Sequence, residues 1–481
     1  MLSLAVHPEH PLAFSQRATT EDRPYILETF MDTLTGKYGI AHITIPLDTV
    51  EDSCVAQIRT FLDNPTFTAT SVIMPDTHAG KGAVIGFTMP LTDRVIPFMI
   101  GGDIGCSIMS FPLAATSIDH VALDQQVRAK VPFGKNVHDR AIINMEHDFP
   151  WDVVNRAGRR LAAKLMIDHG IQVAAPRYGM DWFLAMCKRT GADPRYTMRS
   201  LGTLGGGNHF IEIGRSANSS ELWCTVHTGS RNLGQKVANY WQNLAKRFSM
   251  RDRRDLHRVE IERIRAETKD RKQIGRLIAE SKERHDLNNK TANGLEWLEG
   301  KDMAGYLFDM IFAQAYADMN RRLIAKIICK LLGTELKDEV VSVHNFIDFD
   351  DWIIRKGAIR SYEGELMVIP FNMHDGVLIC EGKSNADWNF SGPHGAGRVM
   401  SRTAAKKNLK LDEFRQEMEA AGIFSTSVCA ATLDEARQAY KPAAFIEEAI
   451  APTAHVVDRL VTVHSMKDKE ESVPWRKRRK S

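Results

Sequence analysis

Apolar and polar positions along this chain change period several times, and each change marks a change of element. His42–Pro46 (HITIP) alternates as a half-buried strand does, and Glu51–Leu62 repeats its apolar positions at helical spacing. Residues 71–115 are short apolar runs, SVIMPDTHAGKGAVIGFTMP and RVIPFMIGGDIGCSIMSF, joined by glycines and polar residues. That texture predicts buried strands whose loops carry function. Residues 116–200 read as mostly helical. Strands and Gly-rich loops return over 201–234 (LGTLGGGNHFIEIG, LWCTVHTGSRNLG), and 235–333 read as largely helical. Strand and loop texture fills Val340–Arg402, a helical pattern spans 403–450, and Ala454–Val463 predicts a final strand.

The helical stretch from Arg251 to Asp286 carries 21 charged residues in 36, acids and bases interleaved, so it predicts a solvated helical insertion laced with ion pairs. The glycine-rich segments lie between about residues 74 and 402, with no internal repeat or long linker between them. If they converge, the whole chain builds one site, which argues for one large domain instead of separable modules.

Lys and Arg exceed Asp and Glu by only three, so net charge alone does not announce a nucleic-acid partner; local patches must do so. Seven cysteines, widely spaced and without a CxxC, exclude a disulfide framework or a zinc knuckle. The N-terminal stretch is broken by His7, Pro8, Glu9 and His10 and does not read as a signal peptide. No run reaches about 18 uncharged apolar residues, so no membrane span is expected, and a cytoplasmic location fits best.

Most of the 17 histidines are ordinary, but five residue groups stand apart by context. GGDIGC sets Asp103 and Cys106 three residues apart in a glycine-flanked loop. GGGNHFIE offers Asn208, His209 and Glu212; HTGSRNLG offers His227 and Arg231. SVHNF offers His344 and Asn345, and SGPHGAGRVMSR offers His394. A carboxylate, a thiolate and several imidazoles suit a borderline transition metal such as Mn, Zn, Fe or Co, and do not suit an all-oxygen calcium or magnesium cage. A thiolate can bridge two ions, and a pair of ions suits phosphoryl transfer. HTGSR, RKGAIRS and HGAGRVMSR combine Gly, Ser and basic residues, so Arg231, Lys356, Arg398 and Arg402 are candidates for phosphate contacts. HAGKGAVIG lacks Walker A spacing, and GTLGGG lacks that of a dinucleotide fingerprint. Residue chemistry therefore points to an enzyme of nucleotides or nucleic-acid ends, leaving ligase and phosphoesterase both open.

With MPDTHAGKGAVIG, IGGDIGC, LGTLGGGNHFIE, HTGSRNLG, SVHNF, RKGA and PHGAGRVMSR in this order, the chain resembles the RtcB family of RNA-splicing ligases from about residue 74 to about 468. The resemblance implies an α+β fold in which mixed β-sheets surround a central active-site cleft. It implies one catalytic domain over residues 1–467, with flanking helices, a helical insertion at about 245–300 and a basic tail at 468–481. It implies joining of an RNA 3′-phosphate or 2′,3′-cyclic phosphate to a 5′-hydroxyl, with GTP and two Mn²⁺ per site. Asp103, Cys106, His209, His227 and His344 would be metal ligands, with Cys106 bridging. His394 would carry GMP covalently. Asn208, Glu212, Asn345, Gly395, Ala396, Gly397 and Lys467 would hold the nucleotide, and Arg231, Lys356 and Arg398 the RNA phosphates. Asp76 and His78 would support the metal shell from outside it, and an activating partner of the archease type would be in keeping with the family.

The loop after VIP departs from the family pattern, reading FNMHDG where a GSMG-type turn is usual. That departure motivates a second reading, a metal-dependent phosphoesterase acting on cyclic phosphates without ligation. A third is a non-catalytic RNA-binding protein, against which the full set of ligand types and His394 argues. The basic run Trp475–Lys480 reads either as a plain solvated terminus or as an RNA-phosphate patch with a stacking tryptophan.

Overall fold

The computed structural model describes residues 31–80, 82–284 and 294–469; the N-terminal stretch and the basic run Trp475–Lys480 lie outside the described residues. Two sheets dominate. The first orders its six strands Asp32–Thr35, Ile40–Ile43, Ser71–His78, Ile85–Pro90, Ile353–Lys356 and Asn345–Ile347. Its one parallel pair, Ile40–Ile43 with Ser71–His78, is joined by the helix Asp52–Leu62, as a parallel crossover requires. The second sheet is antiparallel throughout and has seven strands. Their order is Val340–Val343, Ser107–Pro112, Leu222–Thr228, Phe210–Ser216, Ala454–Met466, Val377–Gly382 and Leu366–Pro370.

One residue joins the two sheets. Val340–Val343 is an edge of the second and Asn345–Ile347 an edge of the first, so His344 alone lies between them. Its amide donates to Cys106 O at 3.0 Å, and its carbonyl accepts from Gly357 N at 2.6 Å. The ring is thereby held from both sides before any side-chain contact forms.

The helix Gly300–Leu332 backs the second sheet. It is apolar almost all round and buried along most of its length, as such a helix must be. Phe312 stacks or tilts against Phe149, Trp151, Trp182 and Phe183, tying this helix to Trp151–His169 and Met180–Thr190. The charged region forms helices Arg231–Glu267 and Arg271–Arg284, the first of which starts directly at the HTGS loop. No helix among the described residues is long and apolar enough to cross a membrane.

Two expectations are corrected. The final strand runs on to Met466, because Ile211, Glu212 and Ile213 of Phe210–Ser216 continue to pair with it past Val463. The 403–450 region is not continuously helical. Helices Arg402–Asn408, Leu411–Ala420 and Ala443–Ala449 are separated by turns and two short 3-10 segments. The physical reason is that Asp434 and Glu435 turn inward and are buried, pairing with Arg402 and the buried Lys467, which a surface helix would not allow.

Candidate active site

Strand register brings distant residues to one end of the second sheet. Ser107 faces Val343 on one side and Thr228 on the other, and Phe210 faces His227. Cys106, His209 and His344 sit just outside these strand ends, beside His227. Cys106 Sγ lies 3.5 Å from His209 Nε2 and 3.3 Å from His227 Nε2. His227 Nε2 is 3.3 Å from His344 Nε2, and Asp103 Oδ2 is 3.0 Å from His209 Nε2. All five sequence candidates for metal binding thus converge.

The donor set fits a metal. His209 Nδ1 donates to Leu204 O at 2.9 Å and His227 Nδ1 to Asn208 O at 3.1 Å, which turns both Nε2 lone pairs toward the thiol. The single proton of the Cys106 thiol can serve only one of these two Nε2 lone pairs at a time, whereas a cation could take both. His344 Nδ1 is buried without a hydrogen-bond partner. Burial, with the neighbouring histidines, holds His227 and His344 well below the ordinary imidazole value, so both are neutral. Burial and the nearby Asp103 push the Cys106 thiol well up, so it ionises only when a cation sits beside it. Cys106, His209 and His227 offer ligand atoms all within 4.8 Å of one another, the spacing an ion needs.

Local backbone explains the approach. Gly205 has φ +92°, and a Cβ there would collide with the Arg231 guanidinium and lie 2.7 Å from His209 Nδ1. Asn208 and His209 precede the strand that begins at Phe210, so strand alternation does not force them to opposite faces. Asp103 Oδ1 accepts from Ser230 N at 2.8 Å, where the helix Arg231–Glu267 begins.

His394 stands beside this cluster, its ring centroid 4.9 Å from that of His344. It follows Ser391–Pro393, which pairs with Ala358–Arg360. Asp76 Oδ2 accepts from His394 Nδ1 at 2.6 Å and from its backbone N at 3.2 Å. Asp76 is fully buried. A proton held on Nδ1 leaves Nε2 as the free lone pair.

A cavity opens next to His394. Asn208, Glu212, Gly395, Ala396, Gly397 and Lys467 line it, as do Phe371 and Asn372 of the FNMHDG loop. Asn372 Oδ1 caps that loop by accepting from His374 N and Asp375 N at 2.9 and 3.0 Å. Burial raises the Glu212 carboxyl to about 8, against weaker opposing effects of the Thr462 hydroxyl and Lys467. Asn345 is not in the lining; its amide bridges Asp103 O and Gly357 N. The three RNA-phosphate candidates are each engaged within the protein. Arg231 donates to Thr203 Oγ1 and Gly134 O, and Lys356 is buried with Nζ 2.8 Å from Ala83 O. Arg398 lines the cavity while holding Tyr440 OH and the Asp434 carbonyl.

Three residues with a part in the site escaped sequence reasoning in that part. Asp76 was expected near the metal shell; it touches His394 instead. Asn320, fully buried in Gly300–Leu332, donates to Thr203 O and Gly229 O at 3.1 Å and so joins the His209 and His227 loops. A lone Asn on an apolar helix face was the available signal. Glu435 is the third. Its carboxylate meets Lys467 Nζ at 2.9 Å, Arg402 Nη1 at 2.7 Å and Tyr440 OH at 2.9 Å. Burial alone would raise this carboxyl, but Lys467, Arg402 and Arg398 bring it down to about 2.

Glu435→Gln is expected to destabilise the protein by about 3–5 kcal/mol at pH 7, since it leaves buried cations uncompensated. A carboxyl depressed in the folded state stabilises above its unfolded value and loses that contribution as pH falls toward the folded one. The stability gap between wild type and variant, read by denaturant melts, should therefore narrow from about pH 4.5 downward toward about pH 2.

The chain is 26% identical over 415 residues to the RNA-splicing ligase RtcB of Escherichia coli K12, covering 82% of this chain and 88% of that one. It is 25% identical over 456 residues to the tRNA-splicing ligase RtcB of Nanoarchaeum equitans, covering 81% and 86%. The tRNA-splicing ligase RtcB of Aeropyrum pernix is similar at 25% over 448 residues, covering 80% and 84%. The sequence profile described as "tRNA-splicing ligase RtcB" matches residues 57–468, and this chain belongs to the RtcB family.

Proposed function

We propose that this protein is a GTP-dependent RNA ligase. It joins a 3′-phosphate or 2′,3′-cyclic phosphate end to a 5′-hydroxyl end in RNA repair or tRNA splicing, in the cytoplasm. The observation that carries this reading is His394, held through Nδ1 by a buried carboxylate with its other nitrogen free, between a metal-type cluster and a cavity.

In this reading His394 Nε2 bonds to the α-phosphorus of GTP as pyrophosphate leaves. An oxygen of the RNA 3′-phosphate then takes the GMP from His394, restoring the imidazole. The 5′-hydroxyl oxygen finally attacks the activated 3′-phosphorus and GMP departs; a cyclic phosphate is first opened by water. Asp76 holds the His394 ring on line throughout. Asp103 and His209 would hold one Mn²⁺, His227 and His344 the other, with Cys106 between them. Metal ions there supply charge neutralisation at the phosphates and activation of the attacking oxygen. Asn208, Asn345 and the 395–397 backbone would bind nucleotide phosphates, and Glu212 and Lys467 the guanine. Arg231, Lys356 and Arg398 would serve the RNA phosphates, each after exchanging an internal partner. Residues 1–467 act as one catalytic domain, and an archease-type partner would act on the guanylylation step.

Phe371 and Asn372 in the cavity wall favour one alternative, a phosphoesterase that opens cyclic phosphates without a nucleotide. One experiment separates the two. Purified protein is incubated with Mn²⁺ and GTP labelled at the α-phosphate, then with RNA bearing 2′,3′-cyclic phosphate and 5′-hydroxyl ends. An acid-labile GMP adduct and joined RNA are expected. Ring opening without GTP, and no adduct or joined product with it, would replace the ligase by the phosphoesterase.

A further inference from the structure

The strand that carries Asp76 is interrupted where Asp76 sits. Ser71–His78 pairs with Ile85–Pro90 through Val72, Ile73 and His78, and the register shifts between Ile73 and His78. Ile73 faces Phe87 and His78 faces Ile85, so residues 74–77 oppose Gly86 alone. On the other side, pairing with Ile40–Ile43 ends at Ile73. Residues 74–77 therefore bulge, and a bulge re-aims a side chain while it leaves backbone groups without a ladder partner. The side chain re-aimed here is Asp76, which accepts from His394 Nδ1 at 2.6 Å.

Asp76 does not fix its own pose. Its Oδ1 is buried and has no hydrogen-bond partner among the described residues; a Cβ on Gly86, where φ is +76°, would lie 2.8 Å from it. The carbonyls on either side of Asp76 go to one cation. Lys441 Nζ donates to Pro75 O at 2.7 Å and to Thr77 O at 3.2 Å. The amide of the same residue donates to Gly397 O at 3.0 Å. Gly397 belongs to the His394 loop, has φ +72°, and a Cβ there would lie 2.3 Å from Asp76 O, so the two backbones touch. Lys441 thus grips the Asp76 bulge with its side chain and the His394 loop with its backbone.

The lysine is placed for this and not for a ligand. It is half-buried between the 3-10 turn Arg437–Ala439 and the helix Ala443–Ala449, and it does not line the cavity. Its ammonium stands 5.9 Å from the centre of the Phe445 ring. Burial draws that ammonium below the ordinary lysine value, and the Asp76 carboxylate, with Cys54 and Glu51, opposes the shift.

We propose, resting on the reading of His394 as the guanylylated residue, that Lys441 is a positioning residue. It fixes the bulge so that Asp76 meets His394 Nδ1 and Nε2 stays in line for phosphorus.

Lys441→Met keeps the stem and removes the donors. Formation of the GMP adduct at saturating Mn²⁺ should fall by roughly 10²-fold, the cost of a small misplacement of a reacting group. KM for GTP and bound metal should stay near wild type, which a general loosening of the fold would not allow. Lys441→Met combined with Asp76→Asn should be no slower than Asp76→Asn alone, because residues that act as one unit are not additive. An adduct rate in Lys441→Met within about threefold of wild type overturns the proposal, as does a double variant that loses the full factor of both changes. If Lys441→Met does not fold, Lys441→Gln, with one donor group left, carries the same comparison. A second readout needs no nucleotide. In protein labelled with ¹⁵N-histidine, the signals missing from His394→Ala identify that ring. Wild type should carry its proton on Nδ1, and Lys441→Met should show both tautomers; an unchanged ring overturns the positioning role. The two readings fail separately: a tautomer change without any wild-type adduct removes only the ligase, and a wild-type adduct with unchanged rate and tautomer in Lys441→Met removes only the role of Lys441.

Discussion

Asp76→Asn is expected to lower formation of the histidine–GMP adduct by roughly 10²–10⁴-fold while metal content stays at the wild-type level. The magnitude follows from the analogous exchange in Ser–His–Asp enzymes, where an amide in place of the carboxylate costs about 10⁴ by selecting the wrong imidazole tautomer. The geometry here has the same logic. Asp76 Oδ2 accepts from both the ring Nδ1 and the backbone N of His394, and the carboxylate is fully buried. An asparagine can turn its NH₂ toward Nδ1, which places the imidazole proton on Nε2, the atom that attacks phosphorus in the proposed reaction. Labelled GTP read on a denaturing gel gives the adduct, and mass spectrometry of the purified protein gives the metal. His394→Ala should form no adduct and sets the floor. Loss of metal in Asp76→Asn would instead make Asp76 a support of the metal shell from outside it, as the sequence suggested.

That difference shows what a single sequence reveals of this site. Asp103, Cys106, His209, His227 and His394 were legible because each has a glycine within two positions, a context that a core residue does not need; His344 has none and stood out by its place after a strand. Their convergence depends on strand register, such as Ser107 against Thr228 and Val343, and register is set by pairings across more than a hundred residues. Asp76 reads as a loop residue near metal ligands; its contact with His394 appears only when Ser71–His78 passes beside the 394–397 loop. Glu435 was hidden for another reason. The 403–450 pattern scans as helix, and nothing local announces that residue 435 turns inward to meet Lys467 from the far end of the last strand. The sheets were legible as short apolar runs, but their order was not, because buried strands of similar composition do not name their neighbours.

Cys106→Ala is expected to abolish most metal-dependent stabilisation and, with it, adduct formation. A thiol with only 2% of its surface exposed, raised by burial and by Asp103, contributes little as a free group and much as a ligand. A ligand present at about 100 times its dissociation constant stabilises the fold by about 2.7 kcal/mol. Wild-type protein should therefore melt higher on addition of Mn²⁺ and lower again with chelator. The variant keeps Asp103, His209, His227 and His344 but lacks the sulfur that lies within 3.5 Å of both His209 Nε2 and His227 Nε2. Two half-sites without their shared sulfur cannot hold a pair of ions at close range, so Mn²⁺ should shift its melting temperature little and calorimetry should show fewer than two ions bound. In the metal-free state the difference should nearly vanish. Removing a thiol from among neutral imidazoles removes no attractive charge, so the apo variant should be about as stable as apo wild type. A variant that still binds two Mn²⁺ with wild-type affinity would show that the sulfur is packing and not a ligand, and would remove the bridged pair from the proposed mechanism.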